Sequence, residues 1–252
     1  MYIERAKVES VDKLNKQTFL LKLFSPSIAK FSKPGQFCNI KVSESTVPLL
    51  RRPFSVCNVD GDSVYFLFDI HGEGTKLLSE KKVGDYLEII GPLGKGFILE
   101  GEYDSALIIA GGLGVAPFPF LIERLSKTKK IITLVGAQSK NLILEYGLKN
   151  VSVATDDGSL GFHGNVIDLF KNKISEISLN TFRIYGCGPN PMLKVLQKYS
   201  IEKNYDCQIS VESAMACGFG ICQGCSIEAS DSESYLLVCK DGPVFDVDKV
   251  RL

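Results

Sequence analysis

The chain has 252 residues, 45% of them hydrophobic and 23% charged, a globular composition long enough for about two domains on a prior of ~100–200 residues each. Lys plus Arg and Asp plus Glu number 29 each, so the net charge is zero; nothing calls for nucleic acid, which wants a basic patch, and no charged tail is present. The start, Met1-Tyr2-Ile3-Glu4-Arg5, has no apolar run behind a basic opening, and no segment reaches ~18 consecutive apolar residues, so a cytoplasmic protein without signal peptide or membrane span is expected.

Residues 1–98 read as short strands. Segments 17–24, 37–42, 63–70 and 85–90 carry β-branched and aromatic residues, with turn signals between them at Lys33-Pro34-Gly35, Asp60-Gly61-Asp62 and Val83-Gly84-Asp85. This spacing predicts a small antiparallel barrel. Two motifs lie on it. Leu50-Arg51-Arg52-Pro53-Phe54-Ser55 sets guanidinium groups beside a ring and a hydroxyl. Arginine offers bidentate donors to phosphate, yet the stretch alone also fits a turn with solvated arginines. His71-Gly72-Glu73-Gly74-Thr75 leads into a predicted helix at 75–81, with Thr75 as its cap. A helix N-terminus attracts an anion such as pyrophosphate; an ordinary capped turn is the plain alternative. His71 and His163, the two histidines, read as loop or structural residues rather than bases.

Near residue 100 the period changes. Strand-like runs at 105–110, 130–136, 151–155 and 181–185 alternate with helix-compatible stretches at 118–127, 141–148, 165–173 and 191–199. That alternation predicts a parallel, doubly wound sheet. Gly112-Leu113-Gly114-Val115-Ala116-Pro117 follows a strand and opens a helix, the context of a dinucleotide-phosphate loop. Proline stands where the fingerprint has its third glycine, and a plain strand–turn–helix fits as well. Gly186-Cys187-Gly188-Pro189 ends another strand, which puts Cys187 at the mouth of the ligand crevice rather than in the core. Thr155-Asp156-Asp157-Gly158 ends a third, as a ribose contact or a simple Asp-Gly turn. Gln138-Ser139-Lys140 contains no arginine for a 2′-phosphate, which favours NAD over NADP.

From about residue 206 the alternation stops. Of eight cysteines, Cys38, Cys57 and Cys207 read as small core residues, and four form C-x4-C-x2-C-x13-C: Cys217, Cys222, Cys225 and Cys239. Zinc sites more often show two C-x2-C knuckles or mixed Cys/His. The first three cysteines here have the spacing of a plant-type [2Fe–2S] loop. Gly218, Gly220 and Gly224 let the loop close tightly and aim N–H groups at sulfur. A [2Fe–2S] cluster is the reading; zinc and unmetallated core cysteines are its alternatives.

In this order the motifs resemble the ferredoxin-reductase-like flavoprotein family over essentially the whole chain. The cysteine segment is similar to that of the electron-transfer subunits of class B dihydroorotate dehydrogenase, although in plant ferredoxins the fourth cysteine lies much further along. The resemblance implies a multi-domain β + α/β layout: an antiparallel FAD-binding β-barrel at 1–98, a doubly wound parallel NAD-binding α/β domain at 99–204 and a small [2Fe–2S] domain at 205–252. It implies that Arg52, Pro53, Phe54 and Ser55 form the flavin motif, Arg52 on the pyrophosphate, Phe54 packed on the flavin and Ser55 facing its reactive nitrogen. Asp69, Ile70 and His71, with Gly74 and Thr75, would form the second FAD segment. Gly112, Gly114, Pro117, Cys187, Gly188 and Pro189 would take the nicotinamide cofactor, and Cys217, Cys222, Cys225 and Cys239 the cluster. Gly91-Pro92-Leu93-Gly94 with Gly96-Phe97 would join the first two units. No residue is assigned a catalytic role beyond the placement of Ser55 and Cys187 near flavin and nicotinamide. The implied function is to pass electrons from an FMN-containing catalytic subunit, which oxidises dihydroorotate to orotate in pyrimidine synthesis, through [2Fe–2S] and FAD to NAD⁺. Two copies of each subunit are implied, with the cysteine loop near the interface. A related NAD(P)H–ferredoxin or sulfide dehydrogenase reductase subunit, and an iron–sulfur redox-sensing binding protein, are the rival readings.

Overall fold

Six strands form the first unit of the computed structural model, which describes residues 1–176, 181–231 and 233–252. They are β1 (Tyr2–Lys13), β2 (Thr18–Phe24), β3 (Phe37–Lys41), β4 (Arg52–Asp60), β5 (Ser63–Asp69) and β6 (Tyr86–Leu93), closed as an antiparallel barrel in the order β1-β2-β5-β4-β3-β6. Alternate residues face inward, as a period of two requires: Leu21, Leu23, Val64, Phe66 and Phe68 fill the interior. The expectations missed two strands. On β1, Glu4 stands in the inward row of Ala6 and Val8, its carboxylate taking the Ser27 N–H at 3.1 Å, so the row does not read as apolar. On β4, the strand opens on Arg52-Pro53, and a register shift between Val56 and Asn58 breaks the alternation as a bulge does.

Helix α1 (Pro26–Phe31) packs Ile28 and Ala29 against the barrel, and α2 (Glu73–Ser79) follows β5. The second helix starts two residues earlier than expected. Gly72 holds the cap position, and Thr75 lies inside the first turn rather than capping it. The Thr75 hydroxyl accepts the His71 N–H at 2.8 Å and donates to the Gly72 carbonyl at 3.2 Å.

The second unit carries β7 (Ser105–Gly111), helix α3 (Phe118–Leu125), β8 (Lys130–Ala137), β9 (Val151–Thr155), β10 (Phe162–His163), α4 (Val166–Glu176), β11 (Phe182–Cys187), α5 (Asn190–Glu202) and β12 (Cys207–Ser210). The C-terminal segment adds β13 (Ser226–Glu228), β14 (Tyr235–Leu237) and β15 (Val244–Asp246). One sheet runs β10-β9-β8-β7-β11-β12-β15, parallel except for β15. The helix expected at 141–148 reduces to one 3₁₀ turn at Lys140–Leu142. Beyond it the chain leaves helical geometry so that Ile143, Leu144 and Tyr146 pack beside Tyr65 of the barrel, and Gly147 turns left-handed against Pro119.

The division expected at 204/205 falls between β11 and β12, neighbours in that sheet, with Ile184 opposite Cys207. The cysteine segment is therefore built onto the sheet edge, and Cys225, Val238, Cys239 and Phe245 share a core with Ile184, Leu193 and Ile209. The linker between barrel and sheet is fixed rather than loose. Phe97 stacks on Phe118 at 5.9 Å and meets the Tyr185 ring edge-on at 5.3 Å. Arg183 donates to the carbonyls of Ile98 and Glu100 at 3.0 and 2.7 Å. Among the described residues, no helix is long and apolar enough to cross a membrane.

Candidate functional site

In the large sheet the chain runs from β7 out to β10, then returns to β11 on the other side of β7. Loops leaving the carboxyl ends of β7 and β11 part at this reversal, where open α/β sheets hold their ligands. Both glycine motifs lie there. Gly112 adopts φ +54 with open space around it. Gly114 lies so close to the β11 loop that a Cβ would stand 2.3 Å from the Cys187 carbonyl oxygen, and one on Gly188 would stand 2.6 Å from Met192. Gly114 and Gly188 thus permit the close packing, while Gly112 opens onto a cleft of about 420 Å³ lined also by Gln138, Asp156, Asn165 and Pro189. Its charged lining residues are Asp69 and Asp156, both acidic. Asp157 belongs to its own turn, accepting from the Ser159 N–H at 2.9 Å and hydroxyl at 2.6 Å.

A second cleft, of about 490 Å³, opens between barrel and sheet. Arg52, Pro53, Phe54, Ser55, Asp69, His71 and Thr75 line it from the barrel, and Pro117, Cys187, Ser210 and Glu212 from the sheet. The Arg52 guanidinium lies against Gly74, where a Cβ would stand 3.0 Å from Nε. The two residues assigned to one pyrophosphate therefore share one cradle. Asp69 is oriented by the Thr18 hydroxyl at 2.6 Å and the Gln17 amide at 3.2 Å. Ile70 lines neither cleft and is exposed. A larger cleft, about 660 Å³, lies beside residues 95–98 and 229–249 and holds none of these side chains.

Cys187 was expected at the crevice mouth and not in the core; it lines the cleft and is also buried. Burial pushes its thiol up, with help from the Glu212 carboxylate. Glu212 went unnoticed in the sequence. It opens to the cleft, yet the protein around it raises its carboxyl by desolvation. No local motif marks it; the usable signal is its place just past β12, the strand paired with the one ending at Cys187.

The cysteine loop turns left-handed at Gly218, Gly220 and Gln223, with φ of +81, +89 and +57. Its cysteines form two pairs. The Cys222 N–H donates to Cys217 Sγ, and the Cys239 N–H to Cys225 Sγ, each at 3.4 Å. Cys225 and Cys239 are buried, Cys217 is half-buried and Cys222 is exposed. Burial raises the Cys217 thiol, but N–H groups of Cys222, Phe219 and Ile221 outweigh it and bring it down to about 6. Burial beside Cys225 holds Cys239 up at about 12; a coordinated thiol is deprotonated outright. Among the described residues no three Cys, His, Asp or Glu side chains converge on one ion position. A [2Fe–2S] cluster takes its ligands two to an iron, and the grouping of Cys217 with Cys222 and of Cys225 with Cys239 fits that division. The loop rests on the barrel: Asn39 donates to the Cys217 carbonyl at 3.0 Å, and Asn39 lies opposite Pro53 across β3 and β4.

The pattern of the family described as the iron-sulfur cluster binding domain of dihydroorotate dehydrogenase B matches residues 212–251. Over 222 residues the chain is 43% identical to the dihydroorotate dehydrogenase B (NAD(+)) electron transfer subunit of Caldanaerobacter subterraneus subsp. tengcongensis, covering 86% of each. It is 38% identical over 259 residues to the protein of that name from Geobacillus kaustophilus, covering 99% of this chain and 98% of that one. A solved NADH-dependent reduced ferredoxin-NADP oxidoreductase superposes with a TM-score of 0.86 at 26% identity, over 98% of this chain and 90% of that chain. The ferredoxin reductase in carbazole 1,9a-dioxygenase, at 23% identity and a TM-score of 0.69 over 83% of this chain and 69% of that chain, shares the fold.

Proposed function

The chain belongs to the family of dihydroorotate dehydrogenase B electron transfer subunits, and from that premise we infer that it carries electrons between a dihydroorotate-oxidising partner and NAD⁺. The residues divide the work by cleft. Arg52 and Gly74, with Thr75, hold the FAD pyrophosphate; Phe54 packs on the flavin and Ser55 faces its reactive nitrogen. Asp69 and His71 complete that wall, with Ile70 between them, its N–H donating to the Gln17 carbonyl at 2.9 Å. Gly112, Gly114, Pro117, Cys187, Gly188 and Pro189 shape the nicotinamide cofactor's place. The acidic lining, Asp69 and Asp156, disfavours a 2′-phosphate and supports NAD. Cys217, Cys222, Cys225 and Cys239 hold the [2Fe–2S] cluster. A bound flavin accepts a hydride's two electrons yet exchanges single ones, which suits it to stand between nicotinamide and cluster.

The observation that carries this reading is the position of the cysteine loop on β3, the strand beside the one that bears Arg52–Ser55. The partner is an FMN-containing catalytic subunit, two copies of each chain assemble, and the pair works in the cytoplasm. Residues 218–221 and Gln223 lie close to that partner, a placement supported by the open side chain of Ile221, 76% exposed. The test is anaerobic turnover by the reconstituted complex. Dihydroorotate and NAD⁺ yield orotate and NADH with both subunits present, and no NADH with the catalytic subunit alone. A complex fully loaded with flavin and iron that oxidises dihydroorotate without forming NADH contradicts the reading.

A further inference from the structure

Asn39 is 1% exposed, on the outer face of a barrel strand. Its side chain reaches a region 178 residues away, where Nδ2 donates to the Cys217 carbonyl at 3.0 Å. Its Oδ1 has no partner among the described residues. Turned over, the carboxamide would set its oxygen against that carbonyl, two acceptors face to face, so the donation fixes its orientation. Gly218 lies directly on the amide: a Cβ there would stand 2.1 Å from Nδ2, and its φ is +81. Glycine is thus required both by the left-handed backbone and by the group beneath it.

The same strand also joins the core that holds the other cysteine pair. Phe37, two residues back and on the same face, lies opposite Ser55. It lines the cleft between barrel and sheet and shares a core with Cys225 and Cys239. The Cys217 end of the loop therefore rests on β3 through Asn39, one strand spacing of ~4.8 Å from the flavin motif.

We propose that Asn39 is a positioning residue: its carboxamide ties the cysteine loop to the flavin barrel and so sets the stance of the cluster toward the flavin. This rests on the assignment of the cysteines and the cleft made above. Electron transfer depends on the separation of donor and acceptor, so a buried hydrogen bond that sets the stance of one site against the other bears on its rate.

The experiment compares the wild-type complex with Asn39→Ala, Gly218→Ala and the double variant. Four quantities are read: bound flavin, the electron paramagnetic resonance spectrum of the reduced cluster, iron loss to a chelator, and the rate of cluster reduction after NADH has reduced the flavin. Asn39→Ala is expected to keep its flavin and the wild-type rate of flavin reduction by NADH. Its cluster resonances shift, its iron is lost roughly tenfold faster, and its cluster is reduced roughly tenfold more slowly, the scale on which outer-shell partners act. Gly218→Ala shifts the same resonances, and adding Asn39→Ala to it recovers part of the shift because the clashing amide is gone. Wild-type resonances and cluster-reduction rate in Asn39→Ala overturn the proposal; should that variant not fold, wild-type resonances in Gly218→Ala overturn it instead. A wild-type chain lacking any [2Fe–2S] signal overturns the cysteine assignment, and this inference with it, and is distinguishable because it appears before any substitution is made.

Discussion

The barrel and the cysteine segment meet at β3 and are held by opposite means. The barrel closes its hydrogen-bonded ring on itself, which leaves no open edge, and fills it with Leu21, Phe66 and Phe68. The cysteine segment, 211–243, has among its described residues only the ribbon of β13 and β14, three residues to a strand. A ribbon that small is marginal by itself. The rest is turns, anchored by the Asn39 bond, by the Val211 N–H on the Pro243 carbonyl at 2.9 Å and by two buried thiols. The contrast teaches where the cofactors matter to the fold. The barrel has its shape from its own side chains, while the cysteine segment leans on the barrel, on the core of the sheet and on whatever its thiols bind.

The largest expected effect breaks that contrast at the cysteines. Cys239→Ser and Cys222→Ser both abolish the cluster signal and both keep flavin. They differ in stability: Cys239 is buried and Cys222 exposed, so the buried serine hydroxyl costs an additional ~1–3 kcal/mol. Limited proteolysis of 211–243 checks this, with Cys239→Ser cut faster. Equal cutting of the two means that burial does not distinguish the pairs. Next comes the barrel side. Arg52→Ala removes a charged donor worth roughly 1.5–3 kcal/mol, so flavin affinity falls about ten- to a hundredfold by equilibrium dialysis while the cluster signal stays. Loss of both cofactors together would mean that the two regions are not independently held. The smallest effect is at the linker. Tyr185→Phe deletes a hydroxyl bonded to Tyr103 Oη at 2.8 Å and to the Ile98 carbonyl at 3.1 Å. It lowers stability by ~1–2 kcal/mol in thermal unfolding and leaves both cofactors bound.

How much of this was legible in the chain follows the same division. The strands β2 and β5 were readable because their inward rows are uniformly apolar. The β1 row was hidden by Glu4, which finds its partner in Ser27 only once the chain is folded. The glycine and cysteine motifs were readable because close approach and ligation constrain residue type locally: Gly114 has no room for a Cβ. Strand β12 and the edge strand β15 were not readable, since four and three residues carry little periodicity. Neither were Glu212 and Asn39, whose roles exist only through contacts with distant segments.

One measurement bears most directly on the claim that flavin cleft and cysteine loop form a single electron path. NADH is added anaerobically to the isolated chain, loaded with flavin and iron, while flavin absorbance and the resonance of the reduced cluster are followed in the same samples. The path predicts that the flavin bleaches and the [2Fe–2S] signal then rises. A flavin that bleaches completely while the cluster signal stays absent contradicts it.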